Sequence, residues 1–277
     1  MAANIAERFI RCHPSFAGYN APVQRRIAGA LTYFGREALR IVLPSWCVAC
    51  EKELPWEERT ASCCARCWSS LPKITSSKCS SCALPLSGAA AASAAGSSAP
   101  EAGAAPLCIP CIADPLPVAW CDAWGVYHGA LEKLLHALKF QRHDFLDDAL
   151  ASLLEETLRD RDFDCLLGVP MHRAKERKRG YNQAELLARA LSRRIGIRCD
   201  MTLLTRRRER VTQSLLPKSA RAANVRGAFA ASSRVKGKSI LIVDDICTTG
   251  ETLRACAVTL QRAGAARVCA VAVAKAV

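Results

Sequence analysis

The chain has 277 residues, a formal net charge of +14, 51% hydrophobic residues and 16 cysteines. That length accommodates one or two domains with a sizeable core, and the apolar share is ordinary for a globular protein, not a disordered one. The basic balance makes nucleic acid, nucleotides and acidic lipid surfaces electrostatically plausible partners, and by itself decides nothing among them.

Residues 1–20 contain Glu7, Arg8, Arg11 and His13 and show no apolar stretch ahead of a small-residue cleavage site, so no secretory signal is read there. Residues 22–42 read as a helix, with Ile27, Leu31, Phe34, Leu39 and Val42 on one stripe and Pro44 ending it. Arg36, Glu37 and Arg40 make the semi-apolar stretch 27–43 a poor membrane span. Residues 1–44 are therefore expected to be a helical leader on a cytoplasmic protein, whose cysteines serve metal and not disulfides.

Residues 45–117 carry four C-x-x-C pairs: Cys47/Cys50, Cys64/Cys67, Cys79/Cys82 and Cys108/Cys111. That spacing lets two thiolates from one knuckle reach the same tetrahedral ion. One such pair would suit redox chemistry, but four in tandem argue for structural zinc. Chain order has the first two pairs sharing one zinc and the last two another, with an interleaved arrangement left open. Cys63 is either a substitute for Cys64 or a bystander. Residues 87–105, nearly all Ala, Gly, Ser and Pro, read as a flexible insert that cannot bury enough surface to fold alone.

Residues 118–277 alternate between strands and helices, the pattern of an α/β fold with a largely parallel sheet. Residues 118–127 read as a strand. Residues 130–140 form an amphipathic helix ending near Lys139, and residues 144–159 form a second helix. Residues 165–170 read as a buried strand, and residues 171–183 as a basic loop with Arg173, Lys175, Arg177, Lys178 and Arg179. A helix over 184–195 and a short strand over 201–204 follow, then a basic irregular segment over 206–221. After Gly237 comes a strand, a helix running to Ala263, and a last strand over 267–274.

The most informative stretch is Ile240-Leu241-Ile242-Val243-Asp244-Asp245-Ile246-Cys247-Thr248-Thr249-Gly250-Glu251-Thr252. Its β-branched start fits a strand buried on both faces. Two carboxylates at the strand end and a small hydroxylated turn opening a helix would suit a ligand carrying both vicinal hydroxyls and a phosphate. Capping of the helix accounts for one of these residues and not for the series. Gly237-Lys238-Ser239 is no P-loop, because Ser232 stands where the first glycine belongs and a strand follows.

The 240–252 stretch resembles the phosphoribosyl pyrophosphate (PRPP) motif of the type I phosphoribosyltransferases. The order of the cysteine pairs, LLHALKF, VPMHRAKERKRGYNQ, NVRGAF and IVDDICTTGET resembles that of the ComF family. The resemblance implies a type I phosphoribosyltransferase fold over 118–277, with a small N-terminal zinc-ribbon-like module. It implies that Asp244 and Asp245 hold the ribose hydroxyls and act in catalysis. Thr248, Thr249, Gly250 and Thr252 would wrap the 5′-phosphate, with Glu251 among the substrate-binding residues; Lys139, Arg179, Asn182 and Gln183 would line the site, Lys139 and Arg179 toward the departing pyrophosphate, with Mg²⁺ accompanying PRPP. A link to DNA uptake in natural transformation, with other uptake proteins as partners, is also implied. The alternative is a zinc-containing single-stranded-DNA-binding factor with an idle PRPP site. The chain departs from the family pattern at Arg173, where proline is frequent, and at residues 214–218 after Gln213.

Overall fold

The structure, a computed structural model, describes residues 46–55, 62–86, 106–140, 146–207 and 227–277. The expected leader helix, the 87–105 insert, Arg142, Gln213 and the segment 214–218 lie outside the described residues. No helix among the described residues is long and apolar enough to cross a membrane.

Two short helices belong to the cysteine region: α1 (Ala65–Ser69) and α2 (Ile109–Ala113). Beyond them run β1 (Cys121–Val126), α3 (Gly129–Phe140), α4 (Leu146–Glu155), β2 (Cys165–Gly168), α5 (Arg173–Arg179) and α6 (Gln183–Ile195). After a 3₁₀ turn come β3 (Leu204–Arg206), β4 (Phe229–Ala231), β5 (Ser239–Cys247), α7 (Glu251–Arg262) and β6 (Arg267–Lys275). The main sheet has the order β1-β6-β5-β2, with every pairing parallel. β3 and β4 form a separate antiparallel pair.

β5 lies between two neighbours and is covered on both faces, which is why it reads as an unbroken apolar run. Leu241 and Val243 face a core built with Leu131, Leu134, Leu135 and Leu138 of α3, Leu150 and Leu154 of α4, and Leu187 and Leu191 of α6. Ile240 and Ile242 face the opposite core, with Leu253, Cys256, Ala257 and Leu260 of α7. Each such leucine, fully buried, contributes about 1.5–3 kcal/mol. The period of two along β5 therefore sends Asp244 and Asp245 toward opposite faces.

Three boundaries differ from the sequence reading. The segment expected as a loop over 171–183 contains α5. It carries no apolar stripe because it buries nothing, so hydrophobic periodicity is silent there. His172 Nδ1 accepts from the Ala174 amide at its start, and Gly180, at φ +93°, ends it. The segment expected as a strand over 201–204 begins as a 3₁₀ turn, capped by Asp200, and the strand starts only at Leu204. β5 continues to Cys247, so both carboxylates belong to the strand and do not follow it.

Candidate functional site

The cysteine region is built on a repeated knuckle. In the first, Glu51 N–H donates to Cys47 O at 2.8 Å, Cys47 N–H donates to Lys52 O, and Trp46 bridges Glu53. In the second, Ala83 N–H donates to Cys79 O at 2.8 Å, Cys79 N–H donates to Leu84 O, and Lys78 bridges Pro85. Buried Leu54 and Leu86 occupy equivalent places, so C-x-x-C-x-x-x-L recurs. Each knuckle meets a second pair that starts a short helix, with Cys64 and Cys108 at the N-caps of α1 and α2.

The thiols form two groups, Cys47/Cys50/Cys64/Cys67 and Cys79/Cys82/Cys108/Cys111, with all Sγ atoms of a group within 4.8 Å of one another. Cys50 and Cys64 Sγ are 3.9 Å apart, and Cys82 and Cys108 Sγ 3.7 Å. A tetrahedral zinc with Zn–S bonds of about 2.3 Å needs sulfurs about 3.8 Å apart, so both groups fit structural zinc. Burial raises the Cys47 thiol, but amide donors led by Cys64 N–H outweigh it and bring it down to about 6. Cys79 comes down to about 4, chiefly through the Cys82 thiol. Their partners go the other way: burial pushes the Cys64, Cys67 and Cys111 thiols up, and the Cys79 thiol followed by burial pushes Cys82 up, so without metal each group shares its protons among its sulfurs. Cys63 belongs to neither group; its buried thiol points to Cys64 O at 3.6 Å.

At the end of β5, Asp245 is 4% exposed and ion-paired with Lys139 Nζ at 3.2 Å. That pair is made by its Oδ2, which has no aligned hydrogen-bond donor besides the Lys139 ammonium among the described residues. Asp244 is partly exposed, and its Oδ1 accepts from Asp245 N–H at 2.9 Å. Burial, followed by the adjacent Asp245 charge, pushes the Asp244 carboxyl well above the usual carboxylate range. The loop then turns through exposed Thr248 and Thr249 to Gly250, whose φ of +82° sets the entry to α7. A Cβ at Gly250 would also lie 2.9 Å from Leu116 Cδ1. The amides of Thr249 and Gly250 donate to no protein acceptor among the described residues. They sit at a helix N-terminus, where an anion is favoured. Glu251 turns its carboxylate toward Arg254, 3.8 Å away.

The segment Arg179-Gly180-Tyr181-Asn182-Gln183 clamps three elements at this sheet edge. The Arg179 guanidinium lies 5.0 Å from the Phe140 ring and donates to Gln183 Oε1. The Tyr181 hydroxyl donates to Leu138 O near the end of α3. Asn182 accepts from Ala184 N–H and donates to Val169 O at 3.0 Å, capping α6 and holding the chain just beyond β2. Close approach makes this possible: a Cβ on Gly168 would sit 2.4 Å from Ala184 O. Phe140 and Lys139 are the last two residues of α3, so Arg179 and Lys139 both lie at the C-terminal end of that helix.

Residues 179–276 match the phosphoribosyl transferase domain family, and residues 38–112 match the double zinc ribbon domain family. "DNA utilization protein YhgH" of Escherichia coli O6:H1 is 36% identical over 168 residues, which span 58% of this chain and 74% of that protein. The chain belongs to the ComF family. "Competence protein F" of Haemophilus influenzae is 31% identical over 150 residues, 50% of this chain and 66% of that one. "Competence protein ComFC" of Streptococcus pneumoniae is 32% identical over 154 residues, 53% and 67% of the two chains. Among solved structures, Bacillus subtilis glutamine PRPP amidotransferase aligns with 23% identity and a TM-score of 0.34, over 46% of this chain and 26% of that one, a likeness too slight to carry an argument.

In this ComF-family chain the second zinc ribbon underlies the loop after β5. Ser81 Oγ, inside the Cys79–Cys82 knuckle, accepts from Leu116 N–H at 2.7 Å, and Leu116 packs beneath Gly250. Arg254 of α7 reaches Asp114 Oδ1 at 3.0 Å, Asp114 O at 2.9 Å and Pro115 O at 3.1 Å. Of the residues expected at the site, Asp244, Asp245, Lys139 and the 248–252 loop meet at the end of β5, while Arg179 and Gln183 contact each other and Phe140 at the end of α3. Asn182 is engaged with its own backbone surroundings. Sequence reasoning missed Cys247 and Lys275, which lie under the loop. Lys275 was detectable as the one charged residue in the apolar run Val268–Ala276.

Proposed function

We propose that the protein binds PRPP with Mg²⁺ at the end of β5 and uses it in a step of DNA utilisation, as the names of its relatives suggest. The observation that carries the reading is the juxtaposition on β5: an acidic pair, one member buried and, among the described residues, held only by its ion pair with Lys139, followed at once by a loop of free amides opening α7. Ribose hydroxyls are donors that suit Asp245 Oδ2 and Asp244, and a 5′-phosphate suits the Thr248–Thr252 loop. Lys139 and Arg179 supply the positive charge a departing pyrophosphate needs. Mg²⁺, when bound with the pyrophosphate, would neutralise part of its charge.

As pyrophosphate leaves, positive charge develops on the ribose ring; the Asp245 carboxylate stabilises it, and Asp244, whose carboxyl is pushed up, contributes as a hydrogen-bonding partner of the ribose and as a charge to the extent that it is ionised. An acceptor attacks the anomeric carbon from the face opposite the leaving group. Zinc held by reduced thiolates suits a cytoplasmic setting. The test is PRPP consumption across a panel of nucleobases and amines, with binding measured in parallel. Binding with turnover for one acceptor class is the expected result. Neither binding nor consumption would overturn the reading.

A further inference from the structure

Lys275 ends β6 beneath the loop and is 4% exposed. Its ammonium donates to the carbonyl oxygen of Thr248 and contacts Cys247 Sγ at 3.9 Å. Among the described residues no carboxylate forms an ion pair with it. The acidic groups in its field are thiols: Cys247, drawn down to about 7 by the Cys121 thiol and then by Lys275, and Cys82 of the second cysteine group.

The Thr248 contact has a geometric consequence. The described peptide bonds are all trans, and a trans peptide points its C=O and the following N–H in opposite directions. With Thr248 O drawn down onto Lys275, Thr249 N–H is turned away from the sheet, toward the side on which Thr249 is exposed. The neighbouring strand holds the same junction, since Ala276 N–H donates to Cys247 O at 3.0 Å. The sheet end and the buried ammonium thus fix the orientation of one peptide plane at the start of the loop.

We propose that Lys275 is a positioning residue for a phosphate monoester at this loop. It holds the Thr248–Thr249 peptide with its N–H facing the ligand, and its positive charge lies beneath the loop the dianion meets. The inference rests on the reading of the loop as the 5′-phosphate site. Lys275 acts through the loop peptide and its field and does not itself touch the reacting atoms.

The experiment compares wild type, Lys275→Met and Lys275→Arg. Titration calorimetry uses ribose 5-phosphate and PRPP·Mg²⁺ as probes, and amide hydrogen exchange is followed without ligand at Arg254 and Ala276, whose N–H groups donate to Gly250 O and Cys247 O at the two ends of the loop. Lys275→Met is expected to weaken both ligands by about tenfold or more, in line with loss of a charge-assisted contact. It is also expected to speed exchange at Arg254 and Ala276, with a melting temperature unchanged or raised. Lys275→Arg, which keeps charge and donors, is expected to restore affinity to within about threefold of wild type. Undiminished affinity in Lys275→Met, or an arginine variant as weak as the methionine one, would overturn the proposal. If wild type binds neither probe, the PRPP reading itself fails. The exchange rates then still decide whether Lys275 orders the loop, and unchanged rates would sink that too.

Discussion

Cys247 Sγ donates to the carbonyl oxygen of Cys82 at 3.7 Å. The strand that delivers the acidic pair thus ends against the backbone of a zinc knuckle. Leu116 under Gly250 and Arg254 on Asp114 repeat the connection. The second zinc ribbon is therefore expected to brace the ligand loop as well as to fold itself.

Loss of that zinc should be felt at the loop. Structural zinc contributes about 10–16 kcal/mol to folding of small zinc domains, comparable to the whole stability of a typical domain. Cys79→Ser with Cys82→Ser is expected to halve the zinc content measured by atomic absorption. It is also expected to weaken PRPP binding by at least about tenfold, a loss of about 1.4 kcal/mol. Equal affinity after loss of one zinc would show that the ribbon and the loop are independent.

The contact between Leu116 and Gly250 gives a finer probe. Gly250→Ala places a Cβ at a left-handed φ and against Leu116, at a cost of about 1–2 kcal/mol from the backbone alone. Denaturant unfolding is expected to report that loss. Adding Leu116→Ala should relieve the steric part and leave the backbone part, so the two changes should be non-additive. Strict additivity would argue against the contact.

Asp244 should trade stability against binding. Its carboxyl is pushed up by burial and then by Asp245, so the folded protein holds this proton more tightly than the unfolded chain. Ionisation of Asp244 therefore lowers stability progressively as pH rises from the unfolded-chain value through the folded one. Asp244→Asn, which keeps the Oδ1 acceptor for Asp245 N–H, is expected to melt at or above the wild-type temperature at neutral pH. The advantage should shrink toward acid pH, where both proteins are uncharged at this position. A variant markedly less stable at neutral pH would contradict the assigned direction.

Phe140, 59% exposed, should matter through Arg179. A cation–π contact at an exposed site is worth about 0.5–1 kcal/mol. Phe140→Leu is expected to weaken PRPP binding by about two- to fivefold and leave ribose 5-phosphate binding unchanged, if Arg179 serves the pyrophosphate side as proposed. Equal weakening of both ligands, measured by calorimetry, would point to a general disturbance of α3.

Much of this arrangement was legible in the sequence because it follows strong periodic signals. The apolar run 240–243 marked a central strand, and the leucines of α3, α4 and α6 marked their buried faces. The pairing of cysteines by chain order also holds, since neighbouring knuckles close on themselves. Other features left no periodic trace. α5 is exposed, so only its caps, His172 and Gly180, reveal it. Asn182, expected at the site by resemblance, also caps α6, a role that depends on where β2 ends and so left no trace in the sequence pattern. Lys275 and Cys247 gain their meaning from β6 lying beside β5, a pairing of segments whose partners sequence alone does not name. The recurring C-x-x-C-x-x-x-L was visible but needed the shared hydrogen bonds of the two knuckles to be read as a structural repeat.

Titration calorimetry of PRPP·Mg²⁺ against wild type and the Asp244→Asn/Asp245→Asn variant tests the central claim most directly. The expected result is saturable one-site binding in the wild type, lost in the variant while its melting temperature and zinc content are kept. Wild-type protein that gives no binding heat, or a folded variant that binds as well as wild type, would contradict it.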